Sequence, residues 1–189
     1  MKRLVYGVGY NDAGYATKPT NDKGVRVPCP FYVKWTDMLT RCYCDGYKER
    51  HPTYIGCSVC DEWFLFSTFK KWMESKKWKG NQLDKDILIQ GNKIYSPETC
   101  LFISKRINTL LTDKETVIGG LKKGVTFHKA SGRFRAQCSI DSKQNHIGLY
   151  NTEHEAYKAY KEFKYNLIKS MANEQEEPIK SALLNYKID

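Results

Sequence analysis

Three acids and a lysine near the middle of the chain have the types and spacing to do chemistry. Asp84, Lys85 and Asp86 are contiguous, and Glu98 follows Pro97 further on. Between them lie a short apolar run, the turn Gly91-Asn92-Lys93 and a second short strand, Ile94-Tyr95. Pro97 suits the first turn of a helix, where its missing N–H would be unpaired anyway, and Ser96 suits the N-cap. Cys100, Ile103 or Ser104, Ile107 and Leu111 then fall on one side of that helix. Strand, turn, strand and helix with acids at both ends can bring oxygen ligands from two elements around one divalent cation, the ligand type that Mg²⁺ and Mn²⁺ prefer.

Cysteines offer a second kind of site. Cys57 and Cys60 have the spacing of half a zinc knuckle, and Cys42 with Cys44 could supply the other half. Zinc takes thiolates in tetrahedral geometry. The one-residue gap between Cys42 and Cys44 is tighter than usual, and packed, unpaired thiols are the alternative. Seven cysteines leave at least one unpaired.

The elements that must position these groups follow from the flanking pattern. Val5 to Tyr10 is a candidate short strand, followed by irregular chain to Pro30. Tyr32, Trp35, Leu39 and Cys42 recur at helical spacing, and on that helix Lys34 and Arg41 are candidates for phosphate contacts. Ser67 can cap a helix to about Ser75 whose apolar face is Phe69, Trp72 and Met73. Lys70, Lys71, Lys76, Lys77 and Lys79 make a basic neighbourhood leading into the Asp84 strand.

This region resembles the ββα-metal core of HNH endonucleases in the form common in bacteriophage genomes. The resemblance lies in the Tyr6-Gly7-Val8-Gly9 start, the pattern from Trp35 through Met38 to Arg41-Cys42, Cys60 with Trp63 and a Phe-rich helix, Asp84, Pro97-Glu98 and Asn108. It implies one Mg²⁺ or Mn²⁺ held by Asp84 with Glu98 or Thr99 and Asp86 in reserve, and a catalytic set of Asp84, Lys85, Glu98 and Asn108. Two positions depart from the family pattern. Lys85 stands where the family has its general-base histidine, and Thr99 where it has a metal-binding asparagine. A lysine flanked by two acids suits holding a phosphate better than accepting a proton; His51 is the alternative base.

The pattern changes after Leu111. Residues 112–123 read as a glycine-containing linker. Val125 to Lys129, Arg133 to Ile140 and His146 to Tyr150 are three strands separated by turns. Alternation puts Arg133, Arg135 and Gln137 on one face and Phe134, Ala136 and Cys138 on the other. Thr152 and Glu155 have capping-box spacing, and Ala156, Tyr160, Phe163 and Leu167 mark the inner face of the helix that follows. The module resembles the plant ethylene-response-factor (Apetala) type of DNA-binding domain, through Gly124-Val125, Gly132-Arg133-Phe134-Arg135-Ala136, Ile147-Gly148-Leu149-Tyr150, Thr152 with Glu155-Ala156, and Ala159-Tyr160. The resemblance implies a sheet laid in the major groove, with Arg133 and Arg135 on bases or phosphates; Gln137, His128 and Lys129 complete the expected DNA-binding set.

The expected fold class is therefore α+β. A ββα-metal nuclease domain with added helices occupies 1–111, followed by a linker at 112–123. A three-stranded antiparallel sheet on one helix occupies 124–173, and a tail 174–189. The expected function is metal-dependent hydrolysis of DNA phosphodiesters by a phage-encoded, homing-type endonuclease; the alternative is a non-catalytic DNA-binding protein on a degenerate nuclease scaffold. A net charge of +10 favours a polyanionic partner, here double-stranded DNA. No apolar run approaches the ~20 residues needed to cross a bilayer, and glycines and polar residues interrupt the apolar start, which argues against a signal peptide. A monomer in the cytoplasm, that of a bacterial host if phage-encoded, is expected.

Overall fold

The computed structural model describes residues 4–111, 120–141 and 143–188. It is a mixed α+β chain that divides into two compact units, Met1–Ile103 and Ser104–Asp189. Most of the expected linker, residues 112–119, lies outside the described residues. No helix among the described residues is long and apolar enough to cross a membrane.

The first unit is built on α1 (Pro30–Tyr43), whose buried stripe is Trp35, Met38, Leu39 and Cys42. A short α2 (Asp45–Arg50) follows it, and α3 (Phe66–Glu74) buries Phe66, Phe69 and Met73. These join Trp63 in an aromatic core, where the Trp35 indole N–H donates to the Trp63 carbonyl at 2.7 Å. Segment 5–10 forms isolated bridges, Val5 to Gly9 and Tyr10 to Leu65, instead of the expected strand. It lies so close to α1 that a Cβ on Gly9 would stand 2.4 Å from the Leu39 side chain. Ser67 is not the N-cap of α3, which starts one residue earlier; the Asp12 carboxylate accepts from the Ser67 N–H at 2.8 Å and from its hydroxyl.

Two pairs of short strands flank this core. β1 (Ser58–Val59) runs parallel to β3 (Ile94–Tyr95), and β2 (Asn81–Asp84) pairs with β4 (Leu101–Ser104). The expected strand, turn and strand all form, with the two strands taking different partners. The turn at Gly91 forms, with the Asn92 N–H donating to the Ile89 carbonyl at 3.1 Å, but side chains close the loop. Lys85 Nζ donates to the Asn92 carbonyl at 2.7 Å, and the Asn92 amide donates back to the Lys85 carbonyl at 2.8 Å.

The helix expected from Ser96 is also corrected. The Thr99 and Cys100 N–H groups close a single turn on the Ser96 carbonyl at 3.3 and 3.0 Å, and the chain then straightens into β4. The run Cys100-Leu101-Phe102-Ile103 is uniformly apolar, a pattern that fits a buried strand as well as a helix. Helix α4 covers only Lys105–Leu111, and Ser104, whose hydroxyl accepts from the Ile107 N–H at 3.2 Å, does the capping assigned to Ser96.

The second unit follows the sequence closely. β5 (Val125–His128), β6 (Arg133–Ile140) and β7 (Lys143–Tyr150) form an antiparallel sheet in the order β5-β6-β7. Its inner face packs on α5 (Glu153–Asn173) through Val125, Ala136, Cys138, Ala156 and Tyr160. Both arms of the Thr152–Glu155 capping box are made, at 3.2 and 3.1 Å. Beyond Tyr160 the centre of the buried stripe shifts by one residue to Lys164 and Ile168, while the expected Phe163 still packs, partly buried, against the core. A last helix, α6 (Ile179–Leu184), buries Leu183. Arg106 of α4 pairs with Asp141 at 3.3 Å and Glu174 at 3.8 Å, and the Tyr186 hydroxyl donates to the Leu111 carbonyl at 2.8 Å. These contacts tie α4 to the second unit. Thr152→Ala removes one arm of the box and is expected to cost about 1 kcal/mol, read as a lower melting temperature of the 104–189 transition.

Candidate functional site

Of the expected metal and catalytic residues, Asp84, Lys85 and Asp86 sit at the end of β2 and in the loop that follows. Asp84 is partly buried, and its Oδ1 accepts from the backbone N–H groups of Asp86 at 2.8 Å and Ile87 at 2.7 Å. Burial pushes its carboxyl above the ordinary aspartate value, and these two N–H groups only partly offset that. Lys85 is 5% exposed. Its ammonium donates to both Asp86 oxygens, at 2.6 and 2.8 Å, and to the Asn92 carbonyl. These contacts occupy all three of its N–H donors.

The other expected residues make contacts of their own. Glu98 is exposed, and a hydrogen bond with Ser96 holds its carboxyl below the usual range. The Thr99 hydroxyl donates to the Ile94 carbonyl at 2.8 Å and lies 3.1 Å from that of Ser96. Asn108 belongs to α4 in the second unit. Among the described residues no three His, Cys, Asp or Glu side chains are grouped so as to hold a metal ion. Within this segment Asp86 is bound to Lys85, and Glu98 and Thr99 are engaged locally.

The four early cysteines are likewise not gathered into a tetrahedral set. All seven cysteines are free thiols. Cys42 and Cys57 are packed into the aromatic core, and burial first, then the neighbouring Cys57, pushes the Cys42 thiol up to about 12. Cys100 is also raised to about 12 by burial. These are apolar packing thiols.

Asp86→Ala would leave the Lys85 charge buried without its carboxylate. The Asp86 side chain is 48% exposed, so solvent screening holds the loss to about 1–2 kcal/mol; the first unit should melt earlier, whereas loss of an unpaired surface acid would leave its melting unchanged.

The second unit gathers its expected residues on one surface. The register pairs His128 with Arg133, Thr126 with Arg135, Arg135 with Leu149 and Gln137 with His146. A bulge between Ala136 and Gln137 shifts the pairing without breaking the alternation of β6. Arg133, Arg135 and Gln137 accordingly share the face turned away from α5, and Arg135, Gln137, Gln144, His146 and Leu149 line one shallow concavity there. Lys129 is corrected from strand to turn, since β5 ends at His128. The His128 Nδ1 lies 2.8 Å from the Ser131 hydroxyl in that turn. Thr126, Gln144 and Leu149 were not singled out from sequence; each is found only by carrying the alternation of β6 across to its partner strands. Among the described residues this face carries arginine, histidine, glutamine, serine and threonine but no carboxylate, and neither Arg133 nor Arg135 is in an ion pair.

Comparisons with protein-family models, with curated proteins and with solved structures yield no match for this chain.

Proposed function

We propose that the protein binds double-stranded DNA through the outer face of its three-stranded sheet. The observation that carries this reading is the carboxylate-free face on which the register aligns Arg133, Arg135 and Gln137, with His128, Gln144 and His146 beside them. A strand pair is narrow enough to enter the major groove, where arginine pairs bidentately with guanine and glutamine with adenine. The same arginines can engage phosphate oxygens, and the formal net charge of +10 draws the chain to a polyanion. Phosphate contacts would set orientation, and the side chains reaching base edges would set sequence preference.

The wiring of the acidic segment supports the non-catalytic form of the DNA-binding reading. Lys85, at the base position, has its three donors occupied by Asp86 and the Asn92 carbonyl. Hydrolysis of DNA remains the second reading on one observation: the Oδ1 of Asp84 is fixed by two N–H groups, which orients the carboxylate at the end of β2. Duplex titration of the full chain across a salt series tests the first reading. The expected result is binding whose affinity falls linearly on a log-log salt plot; absence of salt-sensitive binding would refute it. Supercoiled plasmid incubated with Mg²⁺ or Mn²⁺ tests the second. Intact plasmid is expected, and nicked or linear product that disappears in Asp84→Ala would establish the nuclease instead.

A further inference from the structure

Arg41 is the least accounted-for charge in the first unit. It lies on α1 beside the core residue Cys42 and is only partly exposed. No carboxylate pairs with it among the described residues. Among the described residues its side chain makes one hydrogen bond, a long contact of 3.5 Å from Nη1 to the Tyr95 hydroxyl, which leaves most of its five N–H donors without a partner there. Its guanidinium carbon lies 5.8 Å from the centre of the Tyr54 ring, and the Tyr47 ring packs 5.7 Å from that of Tyr54.

The surrounding acids are already engaged by other groups. The Lys85 ammonium lies 5.8 Å from the centre of the Tyr95 ring whose hydroxyl Arg41 meets, so two cations converge on one buried tyrosine. Asp86 is held by Lys85, and Asp84 is turned to backbone N–H groups. Burial pushes the Tyr95 phenol far above the ordinary tyrosine value, so it is neutral and offers Arg41 a dipole in place of a counter-charge. A half-buried guanidinium without an anion is costly, and its planar fork matches the oxygens of a phosphate.

We propose that Arg41, walled by Tyr47, Tyr54 and Tyr95, is the anchor of a phosphate-binding site in the first unit, separate from the sheet face of the second. Its ligand class is a phosphate oxyanion, supplied either by the DNA backbone or by a free phosphate or mononucleotide. Aromatic walls exclude water on the sides where the protein supplies no acceptor, which strengthens the interaction with an incoming anion.

The test uses the full chain and inorganic phosphate as the probe. The Arg41 Nε–H resonance is assigned in the wild-type protein and followed as phosphate replaces chloride at constant ionic strength. A saturable shift is expected. Salt-series binding of a DNA duplex then compares wild type with Arg41→Gln, and with Arg41→Lys should the first variant fold poorly. A slope reduced by about one, the value for a lost phosphate contact, would assign the site to the DNA backbone. An unchanged slope together with the phosphate shift would assign it to a free phosphate or nucleotide. An Arg41 resonance unmoved by both phosphate and duplex would overturn the proposal. Failure of wild type to bind duplex would sink the sheet reading alone, because the phosphate titration needs no DNA.

Discussion

Replacing Arg133 and Arg135 together with alanine should weaken duplex binding by about a thousandfold at moderate salt, each lost arginine contact being worth about 1–3 kcal/mol. The two side chains lie on the same face of β6, one residue apart in the alternation, with Gln137 next along the strand. Neither contributes to the inner face, which consists of Phe134, Ala136 and Cys138 against α5. The double variant should therefore melt like wild type, and the loss should be one of recognition. The salt dependence divides the possible contacts. If both arginines meet phosphates, the slope of log affinity against log salt should fall by about two. If they meet bases, the slope should hold while discrimination between target and random duplex collapses. Affinity and slope both equal to wild type would remove the sheet face from the interface.

Gly124→Ala should have the largest effect on stability in the second unit. Gly124 has φ +79°, where a side chain is strained, and an added Cβ would stand 2.2 Å from the Tyr160 ring. Tyr160 is 5% exposed and packed between helix and sheet, so the ring has nowhere to retreat. The carbonyl of Gly124 also accepts from the Gln137 N–H at 2.8 Å, and this bond fixes the start of β5 on β6. Backbone strain and overpacking together should cost about 3–5 kcal/mol, a large fraction of a domain's stability. Gly132→Ala is the matched control. It has φ +65° but nothing within 4 Å of its added Cβ, so only the strain component, about 1 kcal/mol or slightly more, should appear. Equal melting losses in the two variants would show that the Tyr160 contact contributes nothing.

The two units differ in how much of them the sequence reveals, and the reason is the range over which each is specified. In the second unit the information is local. Alternation over Arg133 to Ile140 assigns faces within one strand, and Thr152 with Glu155 starts α5 by a bond between residues three apart. Antiparallel neighbours joined by short turns then leave little choice of partner. Even so, only the register added Thr126, Gln144 and Leu149 to the face, because membership depends on what lies across the ladder. The stripe of α5 was legible in its first turns and slipped by one residue beyond Tyr160, where Lys164 replaces an apolar side chain in the interior.

In the first unit the sequence by itself determined the helices α1 and α3 and the turn at Gly91, each set by spacing or by a single glycine. Tertiary structure decided the rest. An apolar run such as Cys100 to Ile103 carries no period, so its partner β2 chose strand over helix and moved the cap from Ser96 to Ser104. The pairing of β1 with β3 joins residues far apart in the chain, which no local pattern encodes. The site followed the same rule. Residue types put acids at Asp84, Asp86 and Glu98, but whether charges meet a metal, a lysine or solvent depends on where the backbone carries them. Here the fold gave Asp86 to Lys85, left Glu98 in solvent, and set Arg41 among tyrosines with no acid of its own.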